Sequence, residues 1–206
     1  MIVSFRFGDR WDIRRFIDPD NPDVKDVAQR FAHLPKEQRV IELWRFVTED
    51  IRYPFTLAGV ADDLHRLHAF PLKNYPIVGQ LFRISRDQVD FFQLPSETLA
   101  WGIGDCEDTS ILLTSLLRSG NLCSPEEVFA ALGFVGENGH VWVEYKGRMM
   151  ETTLDGLPPS PRMVYNSDNR TARFNDVYAE GTLTRTDPRA LLEVERLFDW
   201  KTKLRR

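Results

Sequence analysis

The spacing of hydrophobic positions changes several times along the chain. "MIVSFRF" alternates apolar and polar residues, the period of a short strand. Asn21-Pro22 then supplies an N-cap followed by a proline at the first helical position, and Val24, Val27, Ala28 and Phe31 recur at helical spacing up to Pro35. A second helix, from about Glu37 to Arg52, places Val40, Trp44, Val47 and Ile51 on one face, and "YPF" ends it. Residues 54–98 carry no clear period. A third helix begins at Cys106, with Asp105 as N-cap and Asp108 in a capping-box position. Its residues Ile111, Leu112, Leu113, Leu116 and Leu117 are apolar around much of the circumference, which predicts a central helix, and Gly120 supplies a stop. Strands are predicted next: "EVFAALGFV", a turn at "ENG", "HVWVEY", a turn at "KG", and "RMMETTLD". Asn138-Gly139 is the strongest hairpin signal among them. "GLPPSPR" opens an irregular excursion to about residue 185, and Asp187-Pro188 caps a last helix with Leu191, Val194 and Phe198 inward. The expected fold is α+β, with the Cys106 helix packed on an antiparallel sheet, extra N- and C-terminal helices, and one domain over residues 1–206.

Composition narrows the function classes. The formal charge of −4 argues against a nucleic-acid partner, because phosphate binding needs a basic surface. The longest apolar run, "ILLTSLL", is far too short to span a bilayer, so no membrane partner is expected. Arg6, Asp9 and Arg10 interrupt any signal-like stretch, and two cysteines make no disulfide framework; a cytoplasmic location follows as an expectation. On that reading the glycosylation-like "NRT" at Asn169 is accidental. His65 and His68 share a helical spacing but lack a third ligand, and Cys106, Cys123 and His140 fit no zinc spacing, so neither a metal nor another cofactor is expected.

The candidate chemistry centres on "WGIGDCEDTS". A cysteine reacts as its thiolate, and at an ordinary pKa of ~8.5 little thiolate exists at neutral pH. A helix N-terminus favours the anion by ~0.3–1 kcal/mol, but Asp105, Glu107 and Asp108 oppose it. A facing imidazolium is a stronger partner, worth ~4 kcal/mol at ~4 Å and an intermediate dielectric before desolvation. His140 opens the strand "HVWVEY", on one face with Trp142 and Glu144. If Lys146-Gly147 is a two-residue turn, Tyr145 lies opposite Arg148 and Trp142 opposite Glu151. Glu151 then sits diagonally from His140 on the same face, with Asp155 on the other diagonal. Either carboxylate would fix the imidazole tautomer and complete a Cys-His-acid relay. One extra loop residue would reverse the parity. Cys123, in "NLCSPEE", reads as a small buried residue.

"GDCED" at the start of an aliphatic helix, "HVWVEY" beyond it, "METT" on the next strand and "EDIRY" upstream resemble the transglutaminase-like cysteine protease superfamily. The resemblance spans about residues 37–155 and leaves 156–206 outside. It implies a papain/transglutaminase-like core with Cys106 as nucleophile, His140 as general base and Glu151 as the third member. Glu151 departs from the aspartate of the family's hydrophobic-Asp-Pro-Thr segment, and Thr152 stands where that segment has proline. For the oxyanion donor, the Cys106 amide, Gln93 and Trp101 are candidates. The implied activity is acyl transfer through a thioester on Cys106, with a protein or peptide as substrate. The small size and lack of a calcium-loop pattern favour hydrolysis over crosslinking. The alternative is a catalytically silent binding or structural module of the same fold.

Overall fold

A computed structural model describes residues 1–6, 9–53, 92–135, 138–153 and 170–181. The N-terminal part pairs β1 (Ile2–Arg6) with β2 (Asp9–Asp12), followed by a 3-10 turn over Ile13–Phe16. Two helices follow, α1 (Pro22–Arg30) and α2 (Lys36–Asp50). Asn21 caps α1 by accepting from the Asp23 N–H, as its place before Pro22 predicts. Pro35 serves as the N-cap of α2, and α1 closes earlier, at Arg30. Val24 and Val27 of α1, with Val40, Leu43, Trp44 and Val47 of α2, are buried.

A short helix, α3 (Pro95–Trp101), and the long α4 (Cys106–Arg118) come next. Helix α3 is an addition to the predicted elements: Pro95 at its first position and Glu97 accepting from the Leu94 N–H are its start signals, embedded in a stretch without period. Gly102 closes α3 at φ +62°, a left-handed conformation that glycine adopts without penalty. Gly104 is required for a different reason. A Cβ there would lie 2.8 Å from the Asp108 Cβ and 3.1 Å from a Thr98 methyl, so the glycine lets the chain pass close against α3 and α4.

Helix α4 is central. Ile111, Leu112, Leu113, Leu116 and Leu117 are all fully buried, because α1, α2 and α3 pack on part of its surface and the sheet on another. That sheet has five antiparallel strands: β3 (Val128–Val135), β4 (Asn138–Tyr145), β5 (Arg148–Met150), β6 (Arg170–Phe174) and β7 (Ala179–Gly181). Their spatial order is β5-β4-β3-β6-β7, which makes the fold α+β with the nucleophile-candidate helix on an antiparallel sheet. One cluster joins Leu112, Leu113, Leu116 and Leu117 to Val128, Val143, Tyr145 and Met150; a second joins Ile111 to Ile13, Phe16, Ala130 and Phe174. Truncating one of these buried leucines to alanine should cost ~2–5 kcal/mol of stability.

Three expectations need correction. Asn138 and Gly139 are strand residues, since Val135 pairs with Asn138 and Phe134 with Gly139; the dipeptide that resembled a turn opens β4. Arg170–Phe174 and Ala179–Gly181, placed in an irregular excursion, are strands added to the β3 edge, with the buried Asn175 accepting from the Val177 and Tyr178 N–H groups at the turn between them. The predicted strand through Leu154 and Asp155 ends at Met150. His65, His68, Asp155, Asn169 and the predicted helix after Asp187 lie outside the described residues. Among the described residues no helix is long and apolar enough to cross a membrane.

Candidate active site

Cys106 occupies the first helical position of α4. The start of that helix is fixed by a reciprocal capping box: the Asp105 carboxylate accepts from the Asp108 N–H at 3.5 Å, and the Asp108 carboxylate accepts from the Asp105 N–H at 3.4 Å. The other Asp108 oxygen accepts from the Gln93 N–H at 2.8 Å. The segment leading into α4 is tied to the end of α2: the Arg52 N–H donates to the Gly102 carbonyl at 2.9 Å and the Gly104 N–H to the Arg52 carbonyl at 3.1 Å. Cys106 is therefore anchored by side chains and backbone from three directions. The residue is half-buried, and its neighbour Glu107 is buried at 7% exposure.

The thiol donates to the Glu107 carboxylate, with Sγ 3.2 Å from Oε2. Burial, then the charges of Glu107 and Asp105, then this hydrogen bond push the Cys106 thiol well above its ordinary range. The backbone amide of Val141, the residue after His140, acts in the opposite direction by favouring the thiolate. Burial thus leads in holding the thiol protonated, and Glu107 and Asp105 act in the same direction.

His140 lies near the start of β4, and its ring Nε2 is 2.8 Å from Glu151 Oε2. Both are well shielded, His140 at 15% and Glu151 at 4% exposure. The register is the one read from Lys146-Gly147: Tyr145 pairs with Arg148, Glu144 with Met149 and Val143 with Met150. Lys146 and Gly147 both take positive φ, 50° and 72°, as a tight two-residue hairpin turn requires. Glu151 follows directly after the last paired residue of β5 and reaches His140 with its side chain. The Trp142 ring stacks beside the imidazole, centroids 6.3 Å apart and planes 25° from parallel, which confirms their shared face.

Glu151 is held from both ends. Its Oε1 accepts from the Thr152 N–H at 2.8 Å, the Thr153 N–H at 2.9 Å and the Thr153 hydroxyl at 2.8 Å. Its backbone carbonyl accepts from the Trp44 indole N–H at 2.6 Å, a bond from α2. Burial raises the carboxyl, but the His140 hydrogen bond and charge, with the Thr153 N–H and hydroxyl, outweigh it and leave Glu151 below its ordinary value. An ionised carboxylate only accepts, so the hydrogen of this pair belongs to Nε2, and in the neutral ring Nδ1 is the basic nitrogen.

The structure thus joins His140 to Glu151 directly, and the Val141 amide, next to His140 in β4, favours the Cys106 thiolate. Gln93, a candidate oxyanion donor, is fully buried, with its side-chain oxygen accepting from the Thr98 hydroxyl at 3.2 Å; it braces the approach to α4. Cys123 is fully buried in the core and burial pushes its thiol up to about 11. Among the described residues there is no group of three or more His, Cys, Asp or Glu side chains that could hold a metal ion. The sequence reading did not single out the Glu107 contact or the Thr152 hydroxyl. Neighbouring helical positions do not face each other, so spacing carries no signal for the first, and the second depends on how β5 ends.

No family model matches the chain, and no curated protein matches it. Among solved structures it is similar to Legionella pneumophila LapG (EGTA-treated), at 16% identity over 89% of this chain and 97% of that one, with a TM-score of 0.35.

Proposed function

We propose that the chain is a cysteine-dependent acyl-transfer enzyme that hydrolyses an amide or peptide bond through a thioester on Cys106. The observation that carries this reading is the 2.8 Å His140–Glu151 pair, a base–carboxylate arrangement on the sheet that packs against the Cys106 helix. A carboxylate that fixes the hydrogen on Nε2 reserves Nδ1 as a proton acceptor, the role a general base beside a thiol needs. The motif resemblance around Cys106, His140 and Glu151 supports the same assignment, and one domain carries the whole site.

In the proposed cycle, His140 takes the thiol proton as sulfur attacks the substrate carbonyl carbon. The tetrahedral oxyanion collapses, the C–N bond breaks, and His140 returns the proton to the leaving amine. Water, deprotonated by His140, then attacks the thioester and releases the acid and the free thiol. Because burial and neighbouring acids keep the resting thiol protonated, deprotonation accompanies attack, with no standing thiolate–imidazolium pair. Glu151 orients the ring and balances the imidazolium formed in each half.

One observation favours a second reading, a binding module without turnover: the thiol hydrogen bond goes to Glu107. Alkylation separates the two. With iodoacetamide near neutral pH, Cys106 is expected to label faster than Cys123, and His140→Ala to slow Cys106 by about tenfold or more while leaving Cys123 unchanged. Equal, slow labelling of both thiols, indifferent to His140, would establish the silent module.

A further inference from the structure

We infer that Thr152 is a positioning residue that couples the Cys106 helix start to the His140–Glu151 pair; the inference rests on the roles proposed for those three residues. Thr152 touches both halves of the site. Its N–H donates to Glu151 Oε1 at 2.8 Å. Its hydroxyl lies 2.8 Å from the Thr109 hydroxyl and 3.2 Å from that of Ser110, both in the first turns of α4. Thr152, Thr109, Ser110 and Asp105 are all buried, at 3%, 2%, 0% and 3% exposure, so these bonds form in a dry setting.

Their direction follows from the number of hydrogens. A hydroxyl has a single hydrogen to give, and a carbonyl can only accept. The Thr109 hydroxyl stands 2.7 Å from the Asp105 carbonyl and 3.3 Å from that of Cys106, so its hydrogen is directed to that first turn. The 2.8 Å contact with Thr152 must then be a donation by Thr152, whose oxygen is left to accept from Ser110. The chain runs from Ser110 through Thr152 and Thr109 to the Asp105 carbonyl, the peptide unit that leads into Cys106. A displacement of the Thr152 backbone would disturb both, because the N–H on Glu151 and the hydroxyl against α4 are carried by the same residue.

The sequence departs from its resembled motif at this position. Proline there has neither an N–H for the carboxylate nor a hydroxyl for the helix, so the double link is a property of threonine in this chain. The third member differs at the same point, Glu151 for aspartate, and the longer side chain has one more torsion to fix. The Thr152 N–H, with Thr153, fixes one oxygen and thereby aims the other at His140.

The test uses the full chain with Thr152→Val, which keeps the shape and removes the hydroxyl, and Thr152→Ser, which restores it. The iodoacetamide labelling rates of Cys106 and Cys123 and the 15N shifts of the His140 ring are the readouts. Thr152→Val is expected to slow Cys106 labelling by about tenfold and to move the His140 ring resonances, since sub-ångström misplacement of reacting groups is costly in rate. Cys123 labelling should stay as it was, reporting an intact core, and Thr152→Ser should return both Cys106 readouts to within about twofold of the parent. Unchanged His140 resonances in a folded Thr152→Val chain would overturn the inference, as would Thr152→Ser behaving like Thr152→Val. Wild-type labelling that ignores His140 would overturn the proposed function instead. The ring resonances need no turnover, so they would still decide whether Thr152 positions the pair.

Discussion

Glu107 and Glu151 are both buried glutamates, at 7% and 4% exposure, and each touches a group proposed to react. Their surroundings differ. Three N–H and O–H donors converge on one oxygen of Glu151, and its other oxygen meets the imidazole, so its charge is supported on all sides. Glu107 faces a thiol across 3.2 Å, and there its charge works against ionisation of the sulfur. One carboxylate holds the proposed base in place by a hydrogen bond, and the other opposes ionisation of the proposed nucleophile. In the proposed mechanism such a site keeps Cys106 protonated at rest and draws on His140 during attack, which suits a thiol that must persist unmodified between substrates.

The largest effect should come from inverting the supported side. Glu151→Gln keeps the size of the side chain, and its amide oxygen still suits the Thr152 and Thr153 donors. If that oxygen stays with them, the amide nitrogen faces His140 and donates to Nε2, which moves the ring hydrogen to Nδ1. That is the nitrogen proposed to receive the thiol proton. Cys106-dependent amide hydrolysis should fall about 10²-fold or more, with the fold retained by circular dichroism. Activity within twofold of the parent would remove Glu151 from the mechanism.

Releasing the restrained side should act more weakly and in the opposite direction. Glu107→Gln removes the adjacent charge while retaining bulk, so the thiol should ionise at lower pH. The expected outcome is a Cys106 alkylation rate about three- to tenfold higher at neutral pH, with the labelling profile displaced towards acid. Labelling that stays constant or slows would show that the Glu107 charge does not hold the thiol up.

How much of this contrast is legible in the sequence depends on whether the interaction is local. The Asp105–Asp108 capping box and the Lys146-Gly147 turn are short-range devices, and both follow from residue type and spacing. Because a strand alternates faces, the turn alone carries the reading as far as Glu151 beside His140. Asn138-Gly139 misleads because a turn-favouring dipeptide can also be accommodated in a ladder when its neighbours pair; Val135 and Asn138 do. β6 and β7 escape notice because "RTARF" and "AEG" are short and polar on one face, and their place is set by pairing with β3 and by Asn175. The Trp44 bond to the Glu151 carbonyl joins residues 107 apart, and nothing in either neighbourhood announces it.

The smallest expected effects lie in stability against pH, where the two ends of the site should control opposite limbs. Glu151 titrates below its ordinary value when folded. Its contribution is therefore complete above the ordinary glutamate pKa of ~4.3 and is lost as pH falls through the lower folded value. Cys106 titrates above its ordinary value, so its contribution is complete below ~8.5 and declines as pH rises beyond that towards the folded value. Urea midpoints measured from about pH 3 to about pH 10 should thus show an acid limb that is shallower in Glu151→Gln and an alkaline limb that is shallower in Cys106→Ser. Part of the alkaline limb should persist in Cys106→Ser, because Cys123, raised to about 11 by burial, contributes to it and remains in the variant. Parallel acid limbs in the parent and Glu151→Gln would mean that the imidazole and threonine donors do no more for the carboxylate than water does in the unfolded chain.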